Sequence, residues 1–182
     1  MSRAYKFRNQ EKPYFITFTV VNWVDLFTRK EYSYILIDSI AYCQKEKGLI
    51  VYAWVIMPSH VHMIIGTKQQ KMEFIVRDLK SFTSRKLKEE IKHHPQESRK
   101  EWLTRMFESE GKANSNNVNW QLWQQNNQPI ELWDNHMIDT KLNYIHNNPL
   151  MSGIVNKPED YVFSSAIDYS GQKGLIDVEL LN

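Results

Sequence analysis

Two apolar runs split by one proline-bearing turn constrain this chain more than any other feature. Residues 49–57, LIVYAWVIM, and 60–66, HVHMIIG, flank Pro58-Ser59. Both are rich in β-branched and aromatic side chains, which suit a pleated, packed surface. The short gap makes them an antiparallel hairpin. The first run is almost continuously apolar, so it reads as a central strand covered on both faces. Residues 14–21, YFITFTVV, supply a further strand of the same texture.

Helical spacing takes over between and after these runs. Tyr32, Leu36, Ile40 and Cys43 recur on one helix face. Thr28 and Glu31 form a capping box in front of them, and Gly48 is placed to end that helix in a left-handed turn. A second helix over 72–92 turns Ile75, Leu79, Phe82 and Leu87 inward. Residues 93–119 are polar, with one amphipathic helix near 97–110 that Gly111 stops. They read as an insertion with no core of its own. The Trp- and Gln-rich stretch 120–133 leads into a third helix near 135–147, with Asp134 as N-cap and Pro149 as its end. The chain therefore reads as one domain over 1–182, with an insertion at about 93–119 and a C-terminal tail at about 150–182. The element order predicts an α+β sandwich: a mostly antiparallel sheet with helices on one face.

Several classes are excluded by composition. No apolar run reaches the roughly 18 residues that a membrane span needs, and the basic start MSRAYKFRNQEKPYF has no apolar signal core. The single cysteine, Cys43, points to a reducing compartment. The expected location is cytoplasmic. The net charge of +2 hides a division. Residues 68–105 hold 11 Lys/Arg against 6 Asp/Glu, whereas residues 106–140 hold 1 against 5. Any polyanion partner would meet a local patch rather than a bulk charge.

Four groups of residues could carry chemistry. His60 and His62 alternate with Val61 on a strand, so both imidazoles point to one face, their Cα atoms roughly 6.5–7 Å apart. Such a pair can lean onto one metal ion; the competing reading is an ordinary packed histidine pair. Tyr144 sits off the apolar stripe of Ile138, Leu142 and Ile145, on the side of Met137, Lys141 and Asn148. A phenol needs help to act as a nucleophile at neutral pH. The second helix presents Arg77, Lys80, Ser84 and Lys88, flanked by Ser81 and Thr83. This face is suited to phosphates or is simply solvated. Trp120, Trp123 and Trp133, set among Gln and Asn, either stack unpaired bases or anchor a connection to the core.

The segments AWVIMPSHVHMIIG, LKSFTSRKL, WQQNNQPIELW, YIHNNPLMSGIV and PEDYVFSSAIDYSG, in this order from about residue 14 to the end, resemble the REP-associated tyrosine transposases. These are single-tyrosine HUH endonucleases. The resemblance implies a ferredoxin-like, palm-type sheet with His60 and His62 on the central strand, holding Mg²⁺ or Mn²⁺. It implies Tyr144 as nucleophile on single-stranded or hairpin DNA, through a 5′-phosphotyrosine link. It makes Asn148 the third ligand, and Lys80 and Arg85 backbone-phosphate contacts. With Arg77, Ser81, Thr83, Lys88, Trp120 and Trp123 they form the expected DNA-binding set. The implied protein works as a monomer or homodimer, without a membrane, and meets the nucleoid when on DNA. Two other functions fit the residues: a structured-DNA-binding protein without chemistry, and a hydrolase using a histidine-bound metal.

Overall fold

In the computed structural model, which describes residues 7–114, 119–125 and 128–181, four strands form one antiparallel sheet. They are β1 (Tyr14–Thr19), β2 (Leu49–Met57), β3 (His60–Thr67) and the short β4 (Ile130–Glu131). Their order is β2-β3-β1-β4. β2 and β3 are the expected hairpin. The crossover helix α1 (Lys30–Lys47) carries the chain from β1 past the place of β3 to β2, and α2 (Met72–His93) carries it back. This is the ferredoxin-like path that the resemblance implied.

Side-chain alternation sorts the strands into two faces. Tyr14, Ile16 and Phe18 of β1 and Val61, Met63 and Ile65 of β3 pack with α1 and α2 in one apolar core. In β2 a bulge between Val51 and Ala53 resets the alternation, so Val51, Trp54 and Ile56 face that core while Ala53, Val55 and Met57 face away. The helix α3 (Lys100–Lys112) adds Leu103 and Phe107 to the same core, both fully buried. Residues 115–118 of the polar insertion lie outside the described residues.

The opposite face is covered by α4 (Asn135–Met151), whose Ile145, with Ile138 and Leu142, packs on Phe15, Ala53, Val55 and Ile64. Helices therefore flank both faces rather than one. β2 is an edge strand rather than the central one expected, but its apolar run did signal cover on both faces, since it exposes too much surface if only one side is covered. The tail closes the edge of this layer. Ser164 bridges to Val55, and the short helix α5 (Ala166–Tyr169) follows.

Local signals were followed unevenly. Gly48 ends α1 at φ 72°, and Asp134 caps α4 by accepting from the Met137 N–H at 2.7 Å. The Thr28 capping box does not form. Thr28 lies in a 3-10 turn (Leu26–Thr28), its hydroxyl donates to the Asp25 carbonyl, and Arg29 stands at the N-cap. Gly111 is inside α3 rather than at its end. A Cβ there would meet the Trp120 backbone nitrogen at 2.1 Å, so glycine serves a close approach of two backbones. Phe82, expected inward, is exposed. Pro149 lies within α4, which runs on to Met151. In the last turn a proline forfeits one intrahelical hydrogen bond near an end that is already short of partners, so the helix tolerates it.

Candidate active site

β3 and α4 bring the paired histidines and the tyrosine together. In the antiparallel register, Thr17 of β1 lies opposite His62, and Thr19 lies opposite His60. All four point to the α4 face. The Thr17 hydroxyl holds His62 Nδ1 at 2.8 Å, and the Tyr144 hydroxyl lies 3.3 Å from His62 Nε2. Ser59 Oγ stands 3.1 Å from His60 Nδ1. The two imidazole rings are 4.7 Å apart, centre to centre.

The surroundings set the character of each group. Phe15 stacks on His62 and meets Tyr144 edge-on, forming the apolar floor of the site. His62 is buried, and burial, aided by neighbouring His60 and the Lys141 ammonium, pushes its pKa down to about 3. Burial also lowers His60. Both rings are therefore neutral near pH 7, the state in which an imidazole offers a lone pair to a metal. Tyr144 is 48 % exposed, so the residue lies at the open edge of the site. The Lys141 ammonium, one turn earlier, lies 4.7 Å from the Phe15 ring centre and 5.8 Å from that of Tyr144. The site thus holds two neutral nitrogens, a phenol and a cation beside an apolar floor.

Among the described residues, no group of three or more His, Cys, Asp or Glu side chains could hold a metal ion. A third protein donor would have to be neutral. Asn148 meets that requirement: it is half-buried and stands one turn after Tyr144 on an unbroken helix. The donor chemistry fits a divalent ion, because Thr17 occupies one nitrogen of His62 and leaves the other facing the site.

The expected DNA-binding residues divide. Arg77, Ser81 and Arg85 are exposed on α2, and Arg77 pairs with Asp78. Lys88 reaches over the Trp120 ring. Lys80 turns inward, donating to the Gln124 carbonyl over the Phe18 ring, and burial lowers its pKa to about 8. Thr83 is wholly buried and accepts from the Trp123 indole N–H. Trp123 is itself buried against Phe18 and Phe27, and Trp120 against Phe107. Thr83, Trp120 and Trp123 are therefore anchors of the connection to the core, not surfaces for bases or phosphates. All of α2 lies on the sheet face opposite Tyr144. His146 neighbours Tyr144 in sequence but faces away, 2.9 Å from Ser165 Oγ.

The model of the IS200-like transposase family matches residues 13–119. The chain belongs to the IS200-like transposase family. The matched segment includes β1, both histidines and α2, and it ends before Tyr144. A REP-associated tyrosine transposase, solved bound to a REP hairpin, shares the fold at a TM-score of 0.65. The alignment is 17 % identical and covers 100 % of this chain and 94 % of the other. A putative transposase from Deinococcus radiodurans aligns at 18 % identity and a TM-score of 0.47, over 81 % of this chain and 97 % of the other. No curated protein matches the chain. No described helix is long and apolar enough to cross a membrane.

Phe15 and Thr17 were missed in the sequence. Their signal was available: in YFITFT, alternate residues share a face, and pairing β1 with β3 sets Thr17 beside His62.

Proposed function

We propose that this IS200-like transposase cuts and rejoins single-stranded DNA through a covalent bond to Tyr144, with a divalent metal ion, on hairpin DNA of the REP type. The observation that carries the reading is the 3.3 Å approach of the Tyr144 hydroxyl to His62 Nε2. It puts the one exposed phenol of α4 at the paired histidines of the family-matched strand. The hairpin substrate is suggested by the REP hairpin bound to the structural relative.

The chemistry balances without an external energy source. The Tyr144 oxygen attacks phosphorus, forming one P–O bond, and the bond to the departing O3′ breaks. The phenol gives up a proton and the leaving O3′ gains one. The 5′-phosphotyrosine retains the energy of the phosphodiester, so a second 3′-hydroxyl can reverse the step. His60, His62 and Asn148 would hold Mg²⁺ or Mn²⁺, which supplies polarisation of a phosphoryl oxygen when bound. Two imidazoles favour Mn²⁺ over Mg²⁺. Thr17 fixes the orientation of His62, and the Phe15 floor limits water. Lys141 places positive charge beside the phosphate that Tyr144 receives. Arg77, Ser81 and Arg85, on the far face, would meet the DNA backbone away from the cut.

The test is a denaturing gel. Wild-type protein, Mn²⁺ and a single-stranded hairpin oligonucleotide should give a protein–DNA adduct, and Tyr144→Phe none. An adduct in the Phe variant would make another residue the nucleophile. Salt-dependent DNA binding with no cleavage under any divalent ion would make the protein a binder only. Hydrolysis without an adduct would make it a hydrolase.

A further inference from the structure

Trp23 occupies a position that neither the core nor the chemistry explains. Its ring centre is 5.5 Å from that of His60, yet the residue is 61 % exposed. The backbone at Asn22 and Trp23 is left-handed, at φ 56° and 54°. Side chains rarely accept that conformation, and a bulky indole is among the least suited, so the arrangement costs stability.

The surrounding hydrogen bonds hold it there. The Val20 N–H donates to the Ser59 carbonyl at 2.9 Å, which ties the segment to the turn in front of His60. The Val21 N–H donates to the Leu122 carbonyl at 2.8 Å, and Trp23 N–H to the Val20 carbonyl at 3.0 Å. Asn22 Nδ2 donates to Glu110 Oε1 at 3.0 Å. A strained backbone braced from three sides, carrying a large apolar ring into water next to a candidate ligand, suits a contact with something outside the chain.

We propose that Trp23 is the stacking platform for one unpaired nucleobase, next to the phosphodiester held at His60, His62 and Tyr144. The proposal rests on the DNA strand-transfer reading above. A base joined to a phosphate at His60 lies one sugar away, a distance of the same order as that between the two rings. Every base has a π-face, so an indole binds it whatever the sequence. The base must be unpaired, because duplex stacking already covers both of its faces. Of the three aromatic residues expected to do this, Trp120 and Trp123 are buried; Trp133 is exposed but follows β4 at the Tyr14 end of β1, whereas His60 lies opposite Thr19 at the other end. Trp23 takes the role on the correct face of the sheet.

The experiment measures binding without cleavage. A hairpin oligonucleotide with a single-stranded flank carries an abasic site, moved one nucleotide at a time. Dissociation constants are measured for wild type, Trp23→Ala and Trp23→Phe. One position should weaken wild-type binding about tenfold, as expected for a single base–aromatic stack, and leave Trp23→Ala unchanged. Trp23→Phe should keep most of the wild-type sensitivity. Trp23→Gly should weaken binding while holding or raising the melting temperature, because glycine relieves the left-handed backbone. An equal abasic cost in wild type and Trp23→Ala at every position overturns the proposal. If the position-specific loss is found but wild type forms no Tyr144 adduct, the strand-transfer reading fails and the stacking subsite stands. If wild type does not bind the oligonucleotide, both fail.

Discussion

The two faces of the sheet are built from alternate residues of the same three long strands, and they do different work. On the α1/α2 face, Val61, Met63 and Ile65 of β3 are fully or almost fully buried in the apolar core. On the α4 face the same strand presents His60 and His62 before Ile64 restores apolar packing. The first face is closed by the long helices α1 and α2 with α3 beside them. The second is covered by α4 and part of the C-terminal tail, and Tyr144 on α4 is half exposed. One face can therefore be optimised for stability while the other keeps polar groups half-buried under α4, where burial holds the histidines neutral. The strand pleat separates the two tasks by a single residue.

Neighbouring substitutions on β3 test that separation and carry the largest expected effects. His62→Ala should lower adduct formation at least about 100-fold, since losing even an outer partner of a metal ligand costs that order. Its stability should fall by no more than about 2 kcal/mol, the loss of one hydrogen bond and some packing. Met63→Ala should do the reverse. It removes a wholly buried side chain and should cost about 2–5 kcal/mol. Adduct formation well below its melting point should stay near wild type. Denaturant melts and gel assays on both variants give the comparison directly. Equal losses of activity would show that the two faces are mechanically coupled.

An ion cluster on the α1 side should affect folding alone. Glu97 is buried and accepts from Arg29, Arg99 and Tyr32 side chains. Burial by itself would raise its pKa, but these hydrogen bonds and one from the Arg99 backbone outweigh it and hold the carboxyl down to about 2. The folded value lies below the unfolded one, so the folded state favours the charged form. That stability is fully present above about pH 4.5, the unfolded value, and is lost as pH falls through about 2. Glu97→Gln should cost about 1.5–3 kcal/mol at pH 7, the range for a hydrogen bond to a charged group. The gap between wild-type and variant melting temperatures should close as pH falls from 4.5 toward 2. A gap that stays constant with pH would mean that the cluster acts through shape rather than charge.

The sheet and the shared face of the paired histidines were legible in the sequence, for a physical reason. Near-continuous apolar runs leave few alternatives to strands once the chain must bury them, and strand alternation alone puts both imidazoles of a His-x-His on one face. Tyr144 was marked by being off its helix's apolar stripe. The surface contacts were less legible. Lys80 and Thr83 sit on α2 at positions that look cationic and polar, but a single helix wheel does not show that Gln124 and Trp123 fold over them. Trp23 gave no periodic signal at all, because its placement depends on two left-handed residues braced by distant partners. Pro149 misled in the other direction: a rule for helix interiors weakens in the last turn.

Lys141 offers the smallest and most discriminating effect. Its ammonium faces the Phe15 and Tyr144 rings rather than a carboxylate. If this served packing alone, Lys141→Gln would lose about 0.5–1 kcal/mol of stability, the worth of an exposed cation–π contact, and DNA binding would keep its salt dependence. If Lys141 instead faces the phosphate at Tyr144, stability should hardly change. The slope of log affinity against log salt should then fall by about one, the mark of one lost phosphate contact. Adduct formation should slow by about tenfold, with Lys141→Arg recovering part of it because the charge returns with a different shape. We expect the second pattern. Both rings next to Lys141 belong to the His60/His62 face, and only a weak cation–π contact has to be given up when the ammonium moves to an arriving phosphate.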